Sequence, residues 1–128
     1  MEKKYGGWLS PEIETAFASY ADVCFNAFGV RVKHWLTLNE PMTVALAGYS
    51  DGVHAPGRCS DNSRCSAGNS TTESYIVAHN MLNAHAAAVE VYRTKYQSQQ
   101  KGVIGITLNS DFGFPLTNSS DDLAAAQR

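Results

Sequence analysis

The sequence lacks long apolar runs and blocks of like charge. Its 128 residues carry 10 Lys and Arg and 12 Asp and Glu, for a formal net charge of −2. No run of about 18 apolar residues is present, so we expect no membrane-spanning helix and no membrane partner. No basic cluster indicates nucleic acid as a partner. Residues 1–7 contain no apolar core of a secretory signal sequence.

Cysteine is scarce, with Cys24, Cys59 and Cys65 the only three in the sequence. Cys59 and Cys65 stand six positions apart in a polar stretch that has the composition of a surface loop. From this spacing a disulfide and two free thiols are equally open. No metal site is predicted, because no His or acidic residue stands with these cysteines in a tetrahedral ligand pattern. Cys24 lies in a helical pattern, which is typical of a buried small hydrophobic residue.

The first element predicted by the pattern is a helix over residues 11–28. Ser10 is suited to the N-cap, Pro11 to the first helical position and Gly29 to the end of the helix. Its expected buried face consists of residues at helical spacing: Ile13, Phe17, Tyr20, Cys24 and Phe28.

A strand over Val32–Leu38 follows, and residues 48–70 have the composition of a long loop. The residues Ser70-Thr71-Thr72-Glu73 match a capping box, which predicts a helix from there to about Gln97. The buried stripe expected on this helix is Ala78, Leu82, His85, Val89, Tyr92 and Tyr96. A second strand over Val103–Leu108 and a helix that begins at Asp121 complete the series.

Alternating helices and strands predict an α/β fold with a parallel sheet and right-handed crossovers. Only two strands are evident, and parallel strands need neighbours at both edges and cover on both faces. We therefore interpret residues 1–128 as one incomplete domain.

Glu40 is the residue whose position suggests chemistry. It directly follows a predicted buried strand, and the carboxyl end of such a strand is where α/β folds place active sites. Burial there would raise the pKa of the carboxyl group, which suits a general acid. The neighbouring Asn39 offers a neutral donor and acceptor for a sugar hydroxyl or a similar group. A solvated or ion-paired Glu40 is the alternative interpretation.

The segment Thr37-Leu38-Asn39-Glu40-Pro41 resembles the acid/base signature of family 1 glycoside hydrolases, the β-glucosidase family. Further segments resemble that family in the same order along the chain: residues 5–9, 25–29, 31–35, 48–49, 55–59, 75–80, 105–106 and 124–128. The loop of Cys59 and Cys65 resembles the plant members, in which it is closed by a disulfide.

The resemblance implies a partial (β/α)8 TIM barrel, in which Val32–Asn39 is the fourth strand and Val103–Asn109 the fifth. It implies retaining hydrolysis of β-O-glucosides, with a β-glucoside as the small-molecule partner and no cofactor. Glu40 matches the general acid/base, and Asn39 matches the residue that binds the sugar 2-hydroxyl. The nucleophile of the family lies in a Thr-Glu-Asn-Gly motif, which these 128 residues do not contain.

Other features concern specificity and compartment. Glu rather than Gln at position 40 indicates O-glycosides, since thioglucosidases of the family carry Gln there. Thr43 and Asp111 are predicted to line the aglycone cleft, with a structural role as the alternative. Asn69 and Asn118 stand in glycosylation sequons, which with the disulfide point to the secretory route (vacuole, apoplast or ER).

A different class of function stays open beside the enzyme. The chain could be a non-catalytic truncated or pseudogene-derived fragment with at most weak sugar binding. Departures from the family pattern at Val30, at Phe112 and over residues 113–115 leave the aglycone open, and the sequence leaves the oligomeric state open as well.

Overall fold

Helices and strands alternate along the chain, as the sequence predicts. The computed structural model describes residue 4 and residues 6–127, so Tyr5 of the first family segment and the terminal Arg128 lie outside the described residues. After a 3₁₀ turn at Gly7–Leu9, the elements are α1 (Glu12–Phe28), β1 (His34–Asn39), α2 (Pro41–Tyr49), α3 (Glu73–Val91), a π-helical turn (Tyr92–Tyr96), α4 (Gln97–Gln100), β2 (Val103–Thr107) and α5 (Ser120–Ala126).

The two strands pair in parallel, which confirms the predicted strand direction. Their register places His34 beside Val103 and Leu36 beside Gly105, with an irregularity between Leu36 and Asn39. One face of the sheet is covered, because Trp35 and Ile104 pack on a core built by α1, the end of α3 and the π-helical turn. The other face is bare: 66% of Leu36 and 56% of Val103 are exposed.

Two apolar clusters hold the helices on the sheet. In the first, the Phe25 ring meets Trp35 and Tyr92 edge-on, with centroids 4.9 Å apart in both pairs. The second joins α2 to α3 and consists of Ala45, Tyr49, Val77 and Met81, with Leu38 of β1 packed against it. This second cluster fixes the helix that follows Glu40.

Hydrogen bonds tie together the segments that lead into the two strands. Lys33 Nζ donates to the carbonyl oxygens of Gly29 (3.2 Å) and Gln100 (2.6 Å). The Gln100 side-chain amide donates to the Phe25 carbonyl at 2.9 Å. A Cβ at Gly29 would collide with the Gln100 amide, so this close approach accounts for the glycine. The amino-terminal ends of β1 and β2 are thereby clamped.

The predicted buried face of the first helix is confirmed at Ile13 and is wrong by one position in the second half of the helix. Ile13, Ala21 and Phe25 are buried, whereas 65% of Tyr20 and 45% of Phe28 are exposed. Cys24 is free and only half-buried. The small Ala21 side chain lets α1 approach its neighbours closely, and periodicity arguments that follow large apolar residues miss such a contact.

The same error affects α3. Its buried residues include Val77, Met81, Ala84 and Ala88, while 53% of the predicted core residue Leu82 is exposed. Ala84 and Ala88 are fully buried, so alanines again form the close contact. Tyr92 is buried as predicted, although the regular helix gives way there to the π-helical turn.

Two local predictions between β1 and α3 also fail. The sequence analysis predicts no helix at α2, because Pro41 there marks only the end of the strand; in the structure Pro41 occupies the first turn of a helix. The capping box is absent. Thr72 is the N-cap of α3 without a side-chain bond, and the Glu73 carboxylate binds Arg58 instead. The Asn69 carbonyl accepts from the Glu73 N–H at 2.9 Å in its place.

Candidate active site

Glu40 forms the corner between β1 and α2. Its backbone is left-handed, with φ 48° and ψ 60°. Its N–H donates to the Thr107 carbonyl at 2.9 Å, and its own carbonyl accepts from the Val44 N–H at 3.3 Å. Glu40 therefore makes the last backbone hydrogen bond between the β1 and β2 segments and is also the N-cap of α2. A left-handed non-glycine residue costs on the order of 1–3 kcal/mol, and such residues cluster at functional sites.

A short chain of hydrogen bonds holds the Glu40 carboxylate. Thr43, in the first turn of α2, donates from Oγ1 to Glu40 Oε2 at 3.3 Å. Asn109 Nδ2 donates to the same Thr43 oxygen at 3.1 Å. Asn109 follows the end of β2, so this series of hydrogen bonds links the carboxyl ends of both strands. Glu40 is half-buried in this position.

Asn109 is a site residue that the sequence analysis missed. The available signal was its position just beyond the second strand, since the carboxyl ends of parallel strands meet at one edge of a sheet. Asn39 lies at that same edge, exposed, and pairs in register with Thr107. The structure therefore brings together Asn39, Glu40, Thr43 and Asn109.

Asp111 lies apart from this group. It is exposed in the irregular segment after β2. Among the described residues, no hydrogen bond joins its carboxylate to Glu40, Thr43 or Asn109. Its predicted contact with an aglycone stays a prediction.

The disulfide between Cys59 and Cys65 is formed, as the resemblance implied. The loop that it closes is fastened to α3 by Arg58, which donates to both carboxylate oxygens of Glu73 at 2.8 and 2.7 Å. Hydrogen bonding from Arg58 lowers the pKa of the Glu73 carboxyl group in spite of partial burial. The sequon residues Asn69 and Asn118 are exposed.

An apolar groove of about 710 Å³ borders the Glu40 corner. Its lining includes Pro41, Met42, Leu46, Tyr75 and Asn109. The described residues contain no cluster of three or more His, Cys, Asp or Glu that could hold a metal ion. Within the same part of the chain, no helix has the length and apolar character needed to cross a membrane.

His85 makes a contact that belongs to packing. Its Nδ1 lies 2.7 Å from Thr37 Oγ1, which also donates to the Gly105 carbonyl at 3.2 Å. Burial, and then the nearby Arg93 charge, lower the pKa of the His85 ring. These bonds tie α3 to both strands on the covered face of the sheet, away from Glu40.

Comparison with known proteins gives a consistent result. The model of glycosyl hydrolase family 1 matches residues 1–128. Beta-glucosidase 2 of Oryza sativa subsp. japonica is 56% identical over 131 residues, covering all of this chain and 26% of the relative. The chain thus spans about a quarter of the length of the curated relatives that it matches.

Solved structures agree. The rice Os3BGlu6 β-glucosidase, crystallised as a Glu-to-Gln mutant in a covalent complex with Glc, is 52% identical and superposes with a TM-score of 0.87. A family 1 β-glucosidase from the fungus Humicola insolens, in complex with glucose, is 43% identical with the same TM-score. Each alignment covers 98% of this chain and 27% of the solved one. The described fold, the Glu40 corner and these matches together place the chain in glycosyl hydrolase family 1.

Proposed function

We propose that this chain carries the acid/base half of a site that hydrolyses β-O-glucosides with retention of configuration. The observation that carries the proposal is Glu40, a half-buried carboxyl group held in a left-handed corner at the carboxyl end of a parallel strand. Relatives named β-glucosidases support the substrate class. The covalent complex of the rice enzyme with Glc supports retention, since only the retaining mechanism passes through a glycosyl-enzyme.

In this proposal Glu40 acts twice. It first protonates the leaving glycosidic oxygen, and it then removes a proton from the water that releases the sugar. Asn39, exposed beside it, binds the 2-hydroxyl of the sugar, a contact that strengthens in the transition state. The attacking carboxylate must lie roughly 5–5.5 Å from Glu40. It belongs to a Thr-Glu-Asn-Gly segment that residues 1–128 do not contain.

The proposed place of the chain in a barrel follows from its sheet. We assign β1 and β2 to the fourth and fifth strands of a (β/α)8 barrel. Helices cover one face, and the bare face with Leu36 and Val103 would point to the barrel interior. The disulfide and the exposed Asn69 and Asn118 fit passage through the secretory route, to vacuole, apoplast or ER.

The test requires a complete family domain. Residues 1–128 replace the aligned segment of the rice Beta-glucosidase 2, and the chimera is compared with its Glu40→Ala variant. We expect Glu40→Ala to slow glycosylation by alkyl glucosides on the order of 10²–10⁴-fold, because their alkoxides leave poorly without a proton. Glycosylation by a dinitrophenyl glucoside should change little, because its phenolate leaves unaided.

Pre-steady-state kinetics separate the two steps. With the dinitrophenyl substrate, glycosyl-enzyme should accumulate in Glu40→Ala, because water then lacks its base. Azide, an anionic nucleophile that needs no base, should restore release. Equal losses in glycosylation for good and poor leaving groups would mean that Glu40 is not the acid.

A further inference from the structure

We propose that Thr43 is a positioning residue that holds Glu40 Oε2 and thereby assigns the transferable proton to Glu40 Oε1. Asn109 sets the direction of the Thr43 hydroxyl. This inference rests on the proposed function and deepens it. It gives Thr43 a role other than the predicted lining of the aglycone cleft, since Thr43 Oγ1 is engaged by Asn109 Nδ2 and Glu40 Oε2.

The direction of the hydroxyl follows from its neighbours. The Nδ2 group of Asn109 can only donate, so at 3.1 Å the Thr43 oxygen accepts. A hydroxyl has one hydrogen, and with its oxygen accepting from Asn109 that hydrogen is free to point to Glu40 Oε2, 3.3 Å away. The two bonds therefore run in one direction, from Asn109 through Thr43 to Glu40.

This arrangement suits both protonation states that the reaction needs. An ionised Glu40 accepts from Thr43 at Oε2. A protonated Glu40 keeps the same bond if its hydrogen is on Oε1. Among the described residues no hydrogen bond reaches Oε1, so that atom is open to the leaving oxygen and then to water. Thr43 can stay in place through the cycle, and Glu40 needs no rotation between its two roles.

The fold fixes the distances between Asn109, Thr43 and Glu40. Thr43 stands three residues after Glu40 in α2, whose Ala45 and Tyr49 are buried against α3. Asn109 is held two residues beyond the end of β2. Glu40 itself is held by its bond to the Thr107 carbonyl. Because α2 is anchored on α3 and Asn109 is anchored through β2, the Thr43 hydroxyl lies within hydrogen-bonding distance of both Asn109 and Glu40.

The experiment uses the same rice chimera and measures kcat/KM against pH. The high-pH limb reports loss of the proton from the general acid. Thr43→Val keeps the shape of the side chain but removes the donor to the carboxylate, so the limb should move to higher pH by about half a unit to one unit. Thr43→Ser loses the methyl group but keeps the hydroxyl and should leave the limb in place, so it separates the hydroxyl from a general disturbance at this position.

A double-mutant cycle tests the relay. Asn109→Leu releases the hydroxyl from its direction and should move the limb the same way, by less. In the Thr43→Val background, Asn109→Leu should add nothing, because the hydroxyl through which it acts is gone. A merely structural pair would lower the unfolding midpoint without moving the limb.

The outcomes separate this inference from the proposed function. If Thr43→Val leaves the limb unchanged in a chimera that passes the Glu40→Ala leaving-group test, the positioning role is wrong and the proposed function stands. If the shifts of Thr43→Val and Asn109→Leu simply add, the relay is wrong. If the Glu40→Ala test fails, the proposed function fails first. Should Thr43→Val not fold, Asn109→Leu serves instead: it removes the donor to Thr43 Oγ1 without adding a charge, and the limb must move up.

Discussion

At the scale of single residues, Glu40 combines an unfavourable backbone with a useful side chain. Its φ of 48° lies in the region that glycine adopts freely and other residues adopt at a cost. The turn lets β1 pass into α2 without an intervening loop, which brings Glu40 within reach of Thr43. The site therefore keeps a strained residue that stability alone would not favour.

This strain gives a prediction whose sign is diagnostic. In an ordinary helical or extended position, Gly is less stable than Ala. At position 40 we expect Glu40→Gly to be more stable than Glu40→Ala by roughly 1 kcal/mol, because Ala keeps the left-handed penalty. Both variants lack the carboxylate, so the comparison isolates the backbone. Thermal unfolding of the two chimeras measures it, and a higher midpoint for Ala would contradict the left-handed geometry.

At the scale of elements, the sequence predicted what depends on local chemistry. Helix α1 and both strands were found within a few residues, because caps, glycines and β-branched runs act locally. The buried faces of α1 and α3 are misplaced in part, since alanines such as Ala84 and Ala88 become buried only where another helix lies close. Helix α2 was not predicted because apolar residues lie on all of its faces, so its sequence shows no amphipathic pattern with a helical period.

The candidate site divides in the same way. Glu40 and Asn39 were predicted from a contiguous motif, but the Thr43–Asn109 contact joins residues 66 positions apart. Only the parallel pairing of β1 with β2 brings that pair together. Likewise, the loss of the capping box depends on Arg58, which takes the Glu73 carboxylate from the neighbouring loop. Local patterns contain no information on such competitors.

The disulfide loop supplies a prediction on pH. Hydrogen bonds from Ser63, and then from Arg64, lower the pKa of the exposed Asp61 carboxyl group from 3.8 to about 2. Because the pKa of Asp61 is lower in the folded loop, the ionised carboxylate stabilises the loop at pH values above 3.8. That contribution is lost as the pH falls through about 2. Side-chain carboxyl NMR of Asp61 should show this low value.

Ser63→Ala is the matched variant for that titration. It removes the largest cause of the shift and leaves Arg64 in place, so the pKa of Asp61 should rise towards its ordinary value. An unchanged titration in Ser63→Ala would show that the Ser63 hydroxyl does not hold the carboxylate in solution.

At the scale of the whole molecule, the chain exposes surface that a finished α/β domain covers. Within the part of the chain that the structure describes, the sheet has two strands and therefore two open edges. Large side chains such as Leu108, Phe114 and Leu116 are mostly exposed. Together with the bare face of the sheet, they offer an extensive apolar surface to further parts of a family domain.

We accordingly expect the isolated 128-residue chain to have no glucosidase activity. It contains the proposed acid/base but no segment that matches the attacking carboxylate, and one face of its sheet is open to water. Purified chain is assayed on a nitrophenyl glucoside beside its Glu40→Ala variant. Turnover by the unmodified chain above that control would contradict the division of the site that we propose.

The clamp formed by Lys33 and Gln100 lies at the end of the sheet opposite to Glu40. The two ends share no hydrogen-bonding side chain among those described, and they are joined by the strands and by α3, which packs in both apolar clusters. Selection can therefore act on them as separate traits. Residues around the clamp can change in response to demands on stability without altering the hydrogen bonds of Glu40, Thr43 and Asn109 at the opposite edge.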